Sequence, residues 1–135
     1  MMNRYKEKEL ERKERRLQRT EREQAAGKLL QRIPDLAGLS IAIHEARPGG
    51  CTSDNHYIRR VVLESAPALF EVPCSDTRCE DGGYDVTREV LHALAARQLQ
   101  SEGHQSCRGR CGPIDCGRSL RWVTTATYRE VVATP

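Results

Sequence analysis

The sequence predicts an α+β domain behind a long N-terminal charged helix: a small antiparallel sheet of about four strands, in the order βββαβ, with one packed helix. Three observations predict it. The first 32 residues are almost entirely helix formers and charges; two later stretches alternate apolar and polar residues with period two; and one stretch around Val90 repeats its apolar residues at helical spacing. At 135 residues, 38% hydrophobic and 30% charged, the chain can build one modest core but not several domains. The expected division is a charged helical arm over 1–34 and a small cysteine-rich body over 35–135.

Residues from about Arg4 to Arg32 read as one helix, stopped by Pro34. Glu9 with Lys13, Glu11 with Arg15 and Arg19 with Glu23 place opposite charges four apart, each pair supporting a solvated helix by about 0.3 kcal/mol. Leu10 and Leu17 lie seven apart, but Gln24 holds the next equivalent position, so no sustained heptad forms. The helix is therefore expected to protrude, with only Leu29, Leu30 and Ile33 docking on the body. Leu39, Ile41 and Ile43 alternate with Ser40, Ala42 and His44, which predicts a strand with one buried face over 39–46. A loop through Pro48 to Asn55 leads to a second strand from Tyr57 to about Glu64. After Pro67, residues 69–72 make a short third strand of an antiparallel meander. Asp85 is a suitable N-cap for an amphipathic helix carrying Val90, Leu91, Leu94 and Ala95, expected to end near Gly103. A Gly- and Cys-rich loop over 103–117 then gives way to a last strand from Ser119, with Leu120, Trp122, Ala126 and Tyr128 on one side.

Six cysteines carry the main chemical signal. No apolar run approaches a membrane span and the charged start lacks the apolar stretch of a secretory leader, so the expected location is cytoplasmic, without membrane contact. In that compartment thiols stay reduced, and clustered cysteines read first as metal ligands. Cys74-x4-Cys79 precedes the amphipathic helix and Cys107-x3-Cys111-x4-Cys116 follows it. Zinc takes four thiolates in a tetrahedron, and glycine beside a cysteine lets one loop present two of them. Cys79 has Gly82 and Gly83 just beyond it, and Cys116 is followed by Gly117. The preferred ligands of a structural Zn²⁺ are Cys74, Cys79, Cys107 and Cys116, with Cys111 as the substitute for either of the last two; the sheet is then zinc-stabilised. A disulfide or redox-responsive pair and buried free thiols are the competing readings. The two clusters begin at opposite ends of the predicted helix, so the 103–117 loop must fold back for them to meet.

Cys51 stands apart near Asp54 and His56 and reads as a loop cysteine, with neither a base nor an oxyanion hole to make it a nucleophile. His104, three residues before Cys107, has ligand-like spacing but reads as a surface histidine. Asp76, Glu80, Asp81 and Asp85 read as solvated acids before a helix N-terminus. No phosphate loop, nucleophile elbow or H-E-x-x-H motif occurs, so the chain is expected not to be an enzyme, and no small-molecule substrate is inferred.

Two partner classes remain. A protein-interaction adaptor would use the helical arm to dock on another protein. The alternative is an RNA- or ribonucleoprotein-binding zinc protein using Arg59, Arg60, Arg108, Arg110, Arg118 and Arg121, with Tyr57, Tyr84 and Trp122 available to stack. Basic residues outnumber acidic ones 11 to 6 up to Arg32, but they alternate with glutamates along the chain. Four thiolates and one Zn²⁺, adding −4 and +2, would also take the formal charge from +3 to +1, too little for strong non-specific duplex binding.

Overall fold

A computed structural model describes residues 3–48 and 54–130. It has the expected α+β arrangement, a long N-terminal helix followed by an antiparallel sheet of four strands and a further helix. Helix α1 spans Arg4–Ala26, its start capped by Asn3, whose side chain accepts the Tyr5 N–H at 3.1 Å. It stops at Gly27, where φ is +77°, rather than running on to Pro34. A positive φ suits glycine, so the chain turns there and a single further turn, α2 (Leu29–Arg32), docks separately. Leu29 and Ile33 are buried in the body's core, which therefore begins before residue 35.

Strand β1 (Leu36–Ala46) pairs on one side with β2 (Asn55–Arg60) and on the other with β8 (Ser119–Tyr128), and β8 pairs with β5 (Gln100–Ser106), all antiparallel. The sheet order is β2-β1-β8-β5. Its inner face buries Leu39, Ile41 and Ile43 from β1 against Leu120, Trp122 and Ala126 from β8, as the alternation predicts. Helix α3 (Thr87–Ala95) buries Val90, Ala93 and Leu94, and the Asp85 carboxylate accepts the Thr87 N–H at its start.

Further elements differ from the sequence expectation: β2 ends at Arg60, short of the expected end at about Glu64. Residues 71–72 (β3) do form a short strand, but it pairs with β4 (Tyr84–Asp85) in a separate ribbon. The fourth strand of the sheet is instead β5, in the segment assigned to the end of the helix and the start of a loop. Its sequence QSEGHQS lacks an apolar face because the Trp122 ring lies over it: a Cβ on Gly103 would come within 2.6 Å of Trp122 Cζ2. Beyond β5, the hairpin β6 (Arg110–Cys111) and β7 (Ile114–Asp115) carries the second cysteine cluster. Among the described residues, no helix is long and apolar enough to cross a membrane.

Candidate metal centre

Strand β5 solves the problem of the two clusters' opposite origins. It runs back alongside α3 for seven residues, so Cys107 emerges near the N-terminal end of that helix, where the Cys74–Cys79 loop enters. The two loops are then joined back to back: Glu80 N–H donates to Arg110 O at 2.8 Å and Arg110 N–H returns to Glu80 O at 3.0 Å. Within the second loop, Cys116 N–H donates to Gly109 O and Cys107 N–H to Arg118 O, each at 2.9 Å.

These bonds bring the sulfurs of Cys74, Cys79, Cys107 and Cys116 within 4.8 Å of one another. Cys74 Sγ lies 3.7 Å from Cys116 Sγ and Cys79 Sγ 3.6 Å from Cys107 Sγ. A tetrahedron with metal–sulfur bonds of about 2.3 Å has edges of about 3.8 Å, so the arrangement can hold a metal ion. The close approach needs glycine at two places. A Cβ on Gly82 would lie 2.2 Å from Cys79 Sγ and 2.9 Å from Cys107 Sγ; one on Gly109 would lie 2.2 Å from Cys79 Sγ and 2.5 Å from Gly82 Cα.

The sulfurs of the cluster differ in how readily they ionise. Burial pushes the Cys74 thiol up to about 12, with the neighbouring Cys116 and Cys107 thiols adding to it. Cys79 is raised further for the same reasons. Cys107 goes the other way: burial opposes its ionisation, but N–H groups of Gly83 at 3.3 Å and Gly109 at 3.4 Å point at its sulfur and outweigh that cost. Cys107 is thus the sulfur whose ionised form the backbone already favours, and a divalent ion would offset the cost of ionising Cys74 and Cys79.

Cys111 falls outside this set. It stands beside Cys116 with its sulfur 3.8 Å from Asp76 Oδ2, and the three make a second, smaller group. Asp76 is held down at about 2 by its hydrogen bonds to Arg78. His104 lies on the outer face of the sheet, in register with Arg121, and does not join the thiols. Cys51 lies outside the described residues.

Behind the thiols is a buried carboxylate that sequence reasoning missed. Glu45, 1% exposed, accepts from Arg118 Nε at 3.3 Å, Tyr84 Oη at 2.9 Å, Ser75 N at 3.2 Å and Asn55 Nδ2 at 3.1 Å. Ser75 follows Cys74 and Arg118 lies two residues after Cys116, so one side chain braces both ligand loops against β1 and β2. Burial pushes the Glu45 carboxyl up, but the bonds from Asn55, Ser75 and Tyr84 more than offset this and hold it below its ordinary range. The signal was present: period two, extended from Leu39, Ile41 and Ile43, puts residue 45 on the buried face.

The six candidate arginines divide. Arg118 is internal, its guanidinium on Glu45 and on Asp54 Oδ1 at 2.7 Å, and is taken up by the fold rather than free for a partner. Arg110 donates to Pro113 O inside its own hairpin. Arg60 and Arg121 lie on the outer face of the sheet, where Arg121 pairs with Glu102 at 3.0 Å. Arg59 and Arg108 lie on the side facing α1. Of the aromatics expected to stack, Tyr84 and Trp122 are buried and Tyr57 is exposed. No family model matches the chain, and neither a curated protein nor a solved structure matches it.

Proposed function

We propose that the chain is a small non-catalytic binding module whose body is held by a structural Zn²⁺ on Cys74, Cys79, Cys107 and Cys116. The observation that carries this reading is the mutual approach of those four sulfurs within 4.8 Å. Four thiolates complete a tetrahedral shell and leave no position for water or substrate, so the metal's part is folding rather than reaction. Reduced thiols of this kind belong to a cytoplasmic setting.

The partner takes one of two forms. As a protein adaptor, the module would use α1, a 23-residue arm with no buried residue and with Tyr5, Leu10 and Leu17 exposed. As a binder of RNA or a ribonucleoprotein, it would use arginine, and a specific observation favours this form: Arg15, Arg16, Arg19 and Arg22 of α1 and Arg108 of the second cysteine loop line one groove.

Elemental analysis of purified protein should find one zinc per chain, and chelation should abolish the cooperative thermal transition seen by circular dichroism. Cys107→Ser should lose the metal while Cys111→Ser keeps it. Protein that is metal-free as purified and keeps its transition in chelator would sink the zinc reading.

A further inference from the structure

We infer that the groove between α1 and the cysteine loops, with the apolar slot adjoining it, is a track for single-stranded nucleic acid: phosphates on the arginines, a base against Tyr57. The inference rests on the nucleic-acid form of the reading above and names the face and the strand type.

Along the chain the arm interleaves acids with bases, which argues against a phosphate track. The helix sorts them. Arg15, Arg19 and Arg22 stand at i, i+4 and i+7 and so share one stripe, about 10 Å of helix axis, that faces the body. The groove they line, about 390 Å³, has no α1 glutamate among its lining residues. Its single carboxylate is Glu71, which Arg22 holds through two bonds of 2.8 and 2.9 Å. Arg19 shares its charge with Glu23 at 3.2 Å. Arg15, Arg16 and Arg108 have no carboxylate partner among the described residues, so the groove is a net cationic cleft with three uncompensated guanidinium groups. Planar guanidinium forks match phosphate oxygens, and converging ones match a phosphodiester chain.

What selects a single strand is the second cavity. A slot of about 240 Å³ shares Arg19, Glu71, Val72 and Pro73 with the groove, so the two are continuous. Ile41, Ile43, Phe70 and Val86 line it, with Tyr57 and Arg59 from β2. Tyr57 is 40% exposed, the one candidate stacking residue that the core has not absorbed. Base pairing would keep a base out of such a slot, whereas an unpaired base can leave the backbone track and lie on the tyrosine ring beside Arg59. A run of aspartates or glutamates would satisfy the arginines but has no planar apolar group to put there.

The test uses the full chain, with zinc content and circular dichroism recorded for every variant. Fluorescence anisotropy with 5′-labelled decauridylate should show saturable binding at 50 mM salt, with a log–log salt slope of about −3 for four to five neutralised phosphates. Arg15→Gln, Arg19→Gln and Arg108→Gln combined should weaken it at least about tenfold. Tyr57→Ala should weaken it about tenfold while leaving most of the salt slope. Lys6→Gln and Lys13→Gln combined, a loss of charge on the opposite side of α1, should change it less than about twofold. A ten-nucleotide DNA strand should follow the same variant pattern, and a duplex RNA hairpin should bind more weakly. Absence of binding by zinc-loaded protein would overturn the track and leave the zinc reading standing. Equal loss in the lysine variant, indifference to Tyr57, equal affinity for duplex, or groove-dependent binding of poly-glutamate in place of nucleic acid would each overturn it as well.

Discussion

The four-stranded sheet and the cysteine loops each depend on a glycine over which a bulky group must lie, and the consequences differ. In the sheet, Gly103 admits the Trp122 ring, and the ring rests on an otherwise complete ladder of strand pairings on both sides of β8. In the loops, Gly109 admits Cys79 Sγ and the Gly82 backbone, and around it there are only two-residue strands and four sulfurs. Where backbone hydrogen bonds and apolar burial hold the structure, a displaced side chain is a local repair. Where, on the proposed reading, a metal takes their place, displacing one sulfur would remove the centre. The sheet should therefore be tolerant and the loops brittle.

The sharpest break of this comparison is a pair of alanines. Gly109→Ala should expel the metal and with it folding free energy on the order of 10 kcal/mol, leaving a chain without a cooperative transition. Gly103→Ala should only push Trp122 aside, at about 1–3 kcal/mol, with zinc retained. Metal content and urea unfolding of the two variants check both outcomes; a Gly109→Ala protein that keeps its zinc would mean that the loops adjust more readily than their geometry indicates.

Glu45 joins the two regions, and its loss tests whether they are coupled. Glu45→Gln keeps the shape but leaves the buried Arg118 with Asp54 alone and turns one acceptor into a donor facing Ser75, Tyr84 or Asn55. Breaking a buried pair from one side costs about 3–5 kcal/mol. The sign of its pH dependence follows from the direction of its shift. A carboxyl held below its ordinary value when folded contributes its full share above the unfolded value, about 4.3, and loses it as pH falls through the folded value. The parent protein should thus show an acid-side loss of stability that Glu45→Gln lacks, read by urea titrations at several pH values below 5, with zinc measured in the same samples.

How much of this was legible follows from which interactions carry a pattern. The strand β1, the inner face of β8 and the helix α3 rest on periodic burial, and periodicity is visible in a single sequence. Strand β5 was hidden because its inner residues are Ser101, Gly103 and Gln105, none of them apolar: Gly103 makes room for the Trp122 ring, and the Gln105 side chain bonds to the Asp85 backbone. The break at Gly27 was hidden because helix formers continue on both sides of it. Glycine neighbours alone did not separate the four sulfurs from Cys111, since Gly112 follows Cys111 as Gly117 follows Cys116, and the route that unites the four depends on β5. The arginine face of α1 is a fact of helical winding that the alternation of charge along the chain disguises.

The smallest effect concerns where the arm ends and the body begins. A chain starting at Gly27 loses all of α1, and with it one inter-element ion pair, Arg22 with Glu71, whose side chains are 48% and 24% exposed. Exposed pairs of this kind contribute about 0–1 kcal/mol, so the shortened chain should unfold within about 1 kcal/mol of the full one. It keeps Gly27 O, which accepts the Ala68 N–H at 2.7 Å, and Leu29, whose N–H reaches Ala66 O at 2.9 Å and whose side chain is fully buried. A chain starting at Gln31, only four residues shorter, loses both bonds and the leucine, and should fall by about 2–5 kcal/mol. Urea titrations of the two truncations, compared with the full chain, locate the boundary. Equal stability for the two would return it to residue 35, and a large loss already at Gly27 would make α1 part of the body it lies against.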